Sequence, residues 1–96
     1  MSVGIKRLVM DVMKPRDLSL VELADALATV DSVHGVNINL VEIDKDTENI
    51  KVTIAGDNLN HEEIIKTLET HGAVMHSLDE VVSGKKIIES VDTLQD

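Results

Sequence analysis

Apolar and polar residues alternate from Ile5 to Met13, the period of a β-strand. Leu8, Met10 and Val12 fall on one face, and Arg7, Val9, Asp11 and Met13 on the other. Pro15 stops this run. Ser19 then opens a helix in a capping-box pattern with Glu22, and Leu20, Leu23, Ala24, Leu27 and Ala28 form an apolar stripe at helical spacing. His34–Gly35 is expected to end that unit, because glycine tolerates the positive φ of many helix exits.

From Gly35 to Asn58 the pattern predicts two antiparallel strands joined by a polar turn. In the second strand Ile50, Val52 and Ile54 face the core, with Lys51, Thr53 and Ala55 opposite. In the first, Val36, Ile38 and Leu40 face inward, but beyond them the apolar residues are Val41 and Ile43. One extra residue at Leu40–Val41, a β-bulge, repairs this slip of parity and favours an edge position for the strand. A four-residue turn at Asp46–Asn49 would then pair Ile43 with Val52 and Val41 with Ile54. It would set Asp44 opposite Lys51 and Glu42 opposite Thr53, on an open face that also carries Asn37 and Asn39.

A second helix starts at Asn60 with the same capping pattern through Glu63, buries Ile64, Ile65 and Leu68, and closes at His71–Gly72. Ala73 to Leu78 is a fourth strand. Val81–Val82 and Ile87–Ile88 suggest a short extra strand or helix before an acidic end that frays from about residue 90. Strand, helix, strand, strand, helix, strand, with right-handed crossovers, gives a ferredoxin-like α+β domain. Its four-stranded antiparallel sheet has two helices on one face, strands one and three central, and strand two at an edge.

Composition narrows the chemistry. Ninety-six residues make one domain, 1–96. Without cysteine there are no disulfides, thiolate metal sites or cysteine nucleophiles. Without Phe, Trp or Tyr, and at a formal charge of −9, the chain lacks stacking platforms and repels phosphate backbones, so nucleic acid is not an expected partner. Lys6, Arg7 and Asp11 interrupt the apolar N-terminus, and no run is long enough for a signal core or a membrane span. The expectation is a soluble, cytoplasmic protein with no membrane partner.

The segments KRLVMDVMKP, SLVELADAL, GVNINLVEIDKDTENIKVTIAGDN and HSLDEVVSGKKI, in this order and spacing, resemble a family of small archaeal proteins, domain-of-unknown-function family 211. The resemblance spans roughly residues 4–90. It implies a ferredoxin-like fold, a cytoplasmic archaeal setting and ring-like self-association, and it brings no catalytic residues.

Several residue groups are candidates for chemistry. The acidic turn Asp44–Asn49 suggests a hard cation such as Ca²⁺ or Mg²⁺, held through Glu42, Asp44 and Asp46. The match to an EF-hand loop is poor, with Asn49 at the sixth position and Ala55 at the twelfth; the competing reading is a solvated tip paired with Lys51. Asp11, a carboxylate inside a central strand, would join His76 in holding a divalent metal or moving a proton if both share a face. The parity of strand four leaves that open, and a salt bridge from Asp11 to Arg7 or Lys51 is the plainer alternative. Lys14-Pro15-Arg16 before the Ser19 helix could hold an anion, as in acylphosphatases, but the glycine-rich loop that such chemistry needs is missing, and a solvated basic turn competes. His34, His61 and His71 read as capping or surface residues. Val9, Met13 and Ala55 place apolar groups on the uncovered face, which favours homo-oligomerisation.

Three functional expectations follow, the third being a purely structural interaction partner. The first is a non-enzymatic, self-assembling module that binds a divalent cation or small ligand on its open face. The second is a small enzyme for a phosphate or carboxylate substrate, using Lys14 and Arg16 with Asp11 as acid or base.

Overall fold

The computed structural model describes residues 4–90. Its elements run β1 (Gly4–Pro15), α1 (Leu20–Ala28), β2 (Val33–Ile43), β3 (Thr47–Gly56), α2 (His61–Thr70) and β4 (Val74–Gly84). The strands form one antiparallel sheet in the order β2-β3-β1-β4, so β1 and β3 are central and β2 and β4 are edges. This is the ferredoxin-like arrangement that the sequence predicts.

The core lies between the sheet and the helices. Leu8, Met10 and Val12 of β1 stand opposite Ile54, Val52 and Ile50 of β3, and all are fully buried. Leu23 and Leu27 of α1 and Ile64 and Leu68 of α2 close over them, with α1 against β2 and α2 against β4. Each such aliphatic side chain contributes roughly 1.5–3 kcal/mol through burial, which makes this single layer the main source of stability.

Both helices start as expected. The Ser19 hydroxyl accepts from the Glu22 N–H at 2.9 Å, and the Asn60 side chain accepts from the Glu63 N–H at 3.1 Å. Helix α2 exits through His71 and Gly72, whose φ of +80° is a conformation that favours glycine. Helix α1 stops earlier than the sequence suggests, at Thr29, whose N–H and hydroxyl both return to the Ala26 carbonyl. His34 and Gly35 belong to β2, where His34 is the extra residue of a bulge.

The hairpin keeps the expected bulge but shifts its register. Val41 is the unpaired residue, between Leu40↔Ile50 and Glu42↔Asn49. Val36 and Ile38, rather than Val41 and Ile43, stand opposite Ile54 and Val52. Lys51 faces Asn39, not Asp44, and Thr53 faces Asn37, not Glu42. The cause is a tighter turn: the Asp44 N–H bonds the Thr47 carbonyl at 2.8 Å, so β3 begins at Thr47 rather than after Asn49. This register keeps Val36, Ile38 and Leu40 in line with the buried β3 row, and Val41 and Ile43 remain exposed.

β4 continues to Gly84 instead of ending at Leu78. Irregularities in its pairing with β1 leave His76 and Asp79 as extra residues, so Val81–Val82 belong to this strand and form no separate element.

Candidate functional site

The face without helices is organised in rows that cross all four strands. Asn39, Lys51, Asp11 and Ser77 form one row, and Asn37, Thr53, Val9 and Glu80 the next. On one side of these lies Glu42, Asn49, Met13 and Val74, and on the other Gly35, Ala55, Arg7 and Val82. The side-chain amides of Asn39 and Asn37 bond each other at 2.8 Å. A polar centre, interrupted by Val9, is thus flanked by apolar groups at Met13 and Ala55.

The proposed metal ligands are not gathered. Asp11 sits in the middle of β1, Glu42 near the end of β2, and Asp44 and Asp46 in the exposed β2–β3 turn. His76 is an exposed bulge residue of β4, and Ser77 rather than His76 is the register partner of Asp11. Among the described residues no three His, Asp or Glu side chains are placed to hold one ion. Asp11 and Lys51 are register partners, but no ion pair closes between them, and Arg7 is engaged elsewhere.

The basic turn is not solvated at Lys14. That side chain continues the inward parity of Leu8, Met10 and Val12 and is only 1% exposed. Its ammonium pairs with the Glu48 carboxylate at 2.6 Å and donates to the carbonyls of Pro15 and Leu18. Arg16 is also committed: its N–H bonds the Asp46 carbonyl at 3.1 Å and its guanidinium the Lys45 carbonyl at 3.3 Å. These two cations tie the β1–α1 loop to the β2–β3 turn and present no free anion cradle. One further step of the β1 alternation would have revealed Lys14 as inward-facing.

A charge cluster that sequence reasoning missed occupies the other end of the open face. Arg7 donates through Nε to Glu80 at 3.1 Å and through both terminal nitrogens to Glu89, at 2.9 and 3.2 Å. The Ser90 hydroxyl reaches the second Glu80 oxygen at 3.4 Å. The Arg7 hydrogen bond, followed by its charge, holds the Glu89 carboxyl below its ordinary value of 4.5. The same bond is the largest cause raising Arg7, opposed by desolvation and reinforced by the charge of Glu80. No period in the sequence announces this contact, which spans 82 positions.

Both free edges expose apolar side chains on the helix side of the sheet. On β2, Leu40 is 45% exposed and Ile43 53%; on β4, Leu78 is 40% exposed and Val81 47%. Ile50, Met10 and Leu8, the partners of Leu40, Leu78 and Val81, fix that side because they are core residues, and Glu48, the partner of Ile43, meets the inward-facing Lys14. Among the described residues no helix is long and apolar enough to cross a membrane.

Fold and surface together define a small ferredoxin-like α+β protein with an open sheet face and two apolar edges. The chain belongs to the archaeal domain-of-unknown-function family 211, described as uncharacterized ArCR, whose model matches residues 6–96. It is similar to the uncharacterized protein MJ0319 of Methanocaldococcus jannaschii, with 50% identity over 93 residues, covering 97% of this chain and 96% of that protein. Neither carries an assigned function.

Proposed function

We propose that this protein is a non-enzymatic cytoplasmic module that assembles with copies of itself through the free edges of its sheet. One observation carries the reading: β2 and β4 both leave apolar side chains uncovered on the side that elsewhere forms the core. Exposed edges with apolar side chains are templates for further strand pairing unless something blunts them.

The polarity of the sheet favours head-to-tail contact. β2 and β4 run in opposite directions within one copy, so β4 of one subunit meets β2 of the next in antiparallel order. With the two edges staggered along their length, Leu40 and Ile43 lie beside Leu78 and Val81, and the core layer continues across the contact. A contact of this kind leads to a ring where the rotation closes. The twist of the sheet supplies a rotation at each step.

The other expectations gain no comparable support. Lys14 and Arg16 are engaged in structural contacts, and the cation ligands do not converge, so neither the enzyme nor a cation site enters this proposal.

Two variants test the reading by analytical ultracentrifugation. Leu40→Lys with Ile43→Lys removes the β2 surface, and Leu78→Lys with Val81→Lys removes the β4 surface. Each variant alone is expected to sediment as a monomer, and an equal mixture as a dimer, because one intact edge of each kind remains. Dimers of either variant by itself would instead indicate like-to-like contact, and a monomeric wild type at micromolar concentration would sink self-assembly altogether.

A further inference from the structure

We propose that Lys85–Ser90 is a charge-latched strap, which Arg7 holds against the open face and which releases to uncover Val82. The proposal goes beyond self-assembly and does not depend on it, because the strap lies on the open face and the proposed contacts use the edges.

The chain leaves β4 through Gly84, whose φ of +127° favours glycine and allows a sharp change of direction. It then returns far enough for Glu89 and Ser90 to reach Arg7 and Glu80, in the row of Val82 and the row beyond it. Val82 is the register partner of Arg7, so it lies on the face without helices, outside the main core cluster. It is nevertheless only 5% exposed. We attribute this shielding to the side chain of its register partner Arg7 and to the segment that returns to it.

The means of attachment is electrostatic. Ile87 and Ile88, the apolar residues of the segment, are exposed, so they contribute little burial. The hold comes from the two-pronged Arg7–Glu89 contact, supported by Glu80 and Ser90. A fork of this geometry is the stronger kind of surface ion pair, yet it stays open to screening by salt. Release would expose Val82 and free the Arg7 guanidinium on the open face, while Ile87 and Ile88 leave with the segment that carries them. Ionic conditions thereby regulate whether Val82 is covered.

Methyl NMR with a soluble paramagnetic agent tests the proposal on the full chain. In low salt the Val82 methyls should be shielded, as those of Leu8 are. In 1 M NaCl, or in Glu89→Gln at low salt, relaxation of the Val82 methyls should rise roughly fivefold, the effect of losing a favourable exposed pair. Leu8 should not change under either condition. Val82 methyls that stay shielded in Glu89→Gln and in high salt would overturn the latch, and methyls already exposed in the wild type would overturn the strap. Sedimentation of the same samples reports self-assembly separately, so either proposal can fail while the other stands.

Discussion

Lys14 and Glu48 face each other across the β1–β3 ladder, and the buried ammonium meets the carboxylate at 2.6 Å. The pair sits where the core layer ends, and the carbonyls of Pro15 and Leu18 take up further ammonium donors. A charge removed from water in this way needs its partner, because its hydration has been given up. Glu48→Ala should therefore cost about 3 kcal/mol of unfolding free energy in urea titrations, by leaving the ammonium without its counter-charge. Lys14→Met combined with Glu48→Leu should recover most of that loss. If Glu48→Ala unfolds at the wild-type urea concentration, the pair is not holding the loop.

The hairpin register gives a test free of background, since the chain has no native cysteine. Asn39 and Lys51 are direct partners on adjacent strands, and Cβ atoms in such positions lie about 4.5–5.5 Å apart. Asn39→Cys with Lys51→Cys should form an intramolecular disulfide on mild oxidation, read as a shift on non-reducing gels and by mass spectrometry. Asp44→Cys with Lys51→Cys, the pair matched by a four-residue turn, should stay reduced.

That contrast marks how far the sequence reaches. Element order, both N-caps and the bulge at Val41 were legible because each rests on local chemistry: a period, a hydroxyl or amide at a helix start, a slip of parity. The register was not, because it depends on whether Thr47 or Ile50 opens β3, and a single backbone bond from Asp44 to Thr47 decides that. Asp11 and His76 looked like partners because they fall on adjacent strands; an extra residue in β4 puts Ser77 opposite Asp11. The Arg7–Glu89 contact was beyond reach, since nothing local tells a chain end where to return.

Gly56 is fixed by space rather than by dihedral preference. A Cβ there would stand 2.1 Å from the Ser32 carbonyl oxygen, a backbone atom that cannot swing aside. Gly56→Ala should lower stability by about 1–3 kcal/mol, the usual cost of overpacking, measured as a drop in Tm. Gly35, in the adjacent edge strand, has nothing within 4 Å of its Cβ position, so Gly35→Ala should melt near the wild-type temperature. Equal shifts for the two variants would refute the close approach of β3 to the Ser32 backbone.

The Arg7–Glu89 contact also sets a direction for pH. Glu89 has its carboxyl pKa lowered from 4.5, so the contact adds its stability above the unfolded value and loses it as pH falls through the lower, folded value. Arg7 stays protonated throughout and contributes no transition of its own in this range. Glu80 from β4 is the other carboxylate facing Arg7, while the β3 partner, Ala55, carries no charge. Measured in Glu80→Gln to isolate Glu89, the shielding of the Val82 methyls should be constant at neutral pH and be lost only on acidification below the ordinary carboxyl value of 4.5. Glu80→Gln combined with Glu89→Gln should remove the transition and leave Val82 exposed at every pH. A transition that survives in the double variant would mean that some other acid holds the segment in place, and the assignment to Glu89 would be wrong.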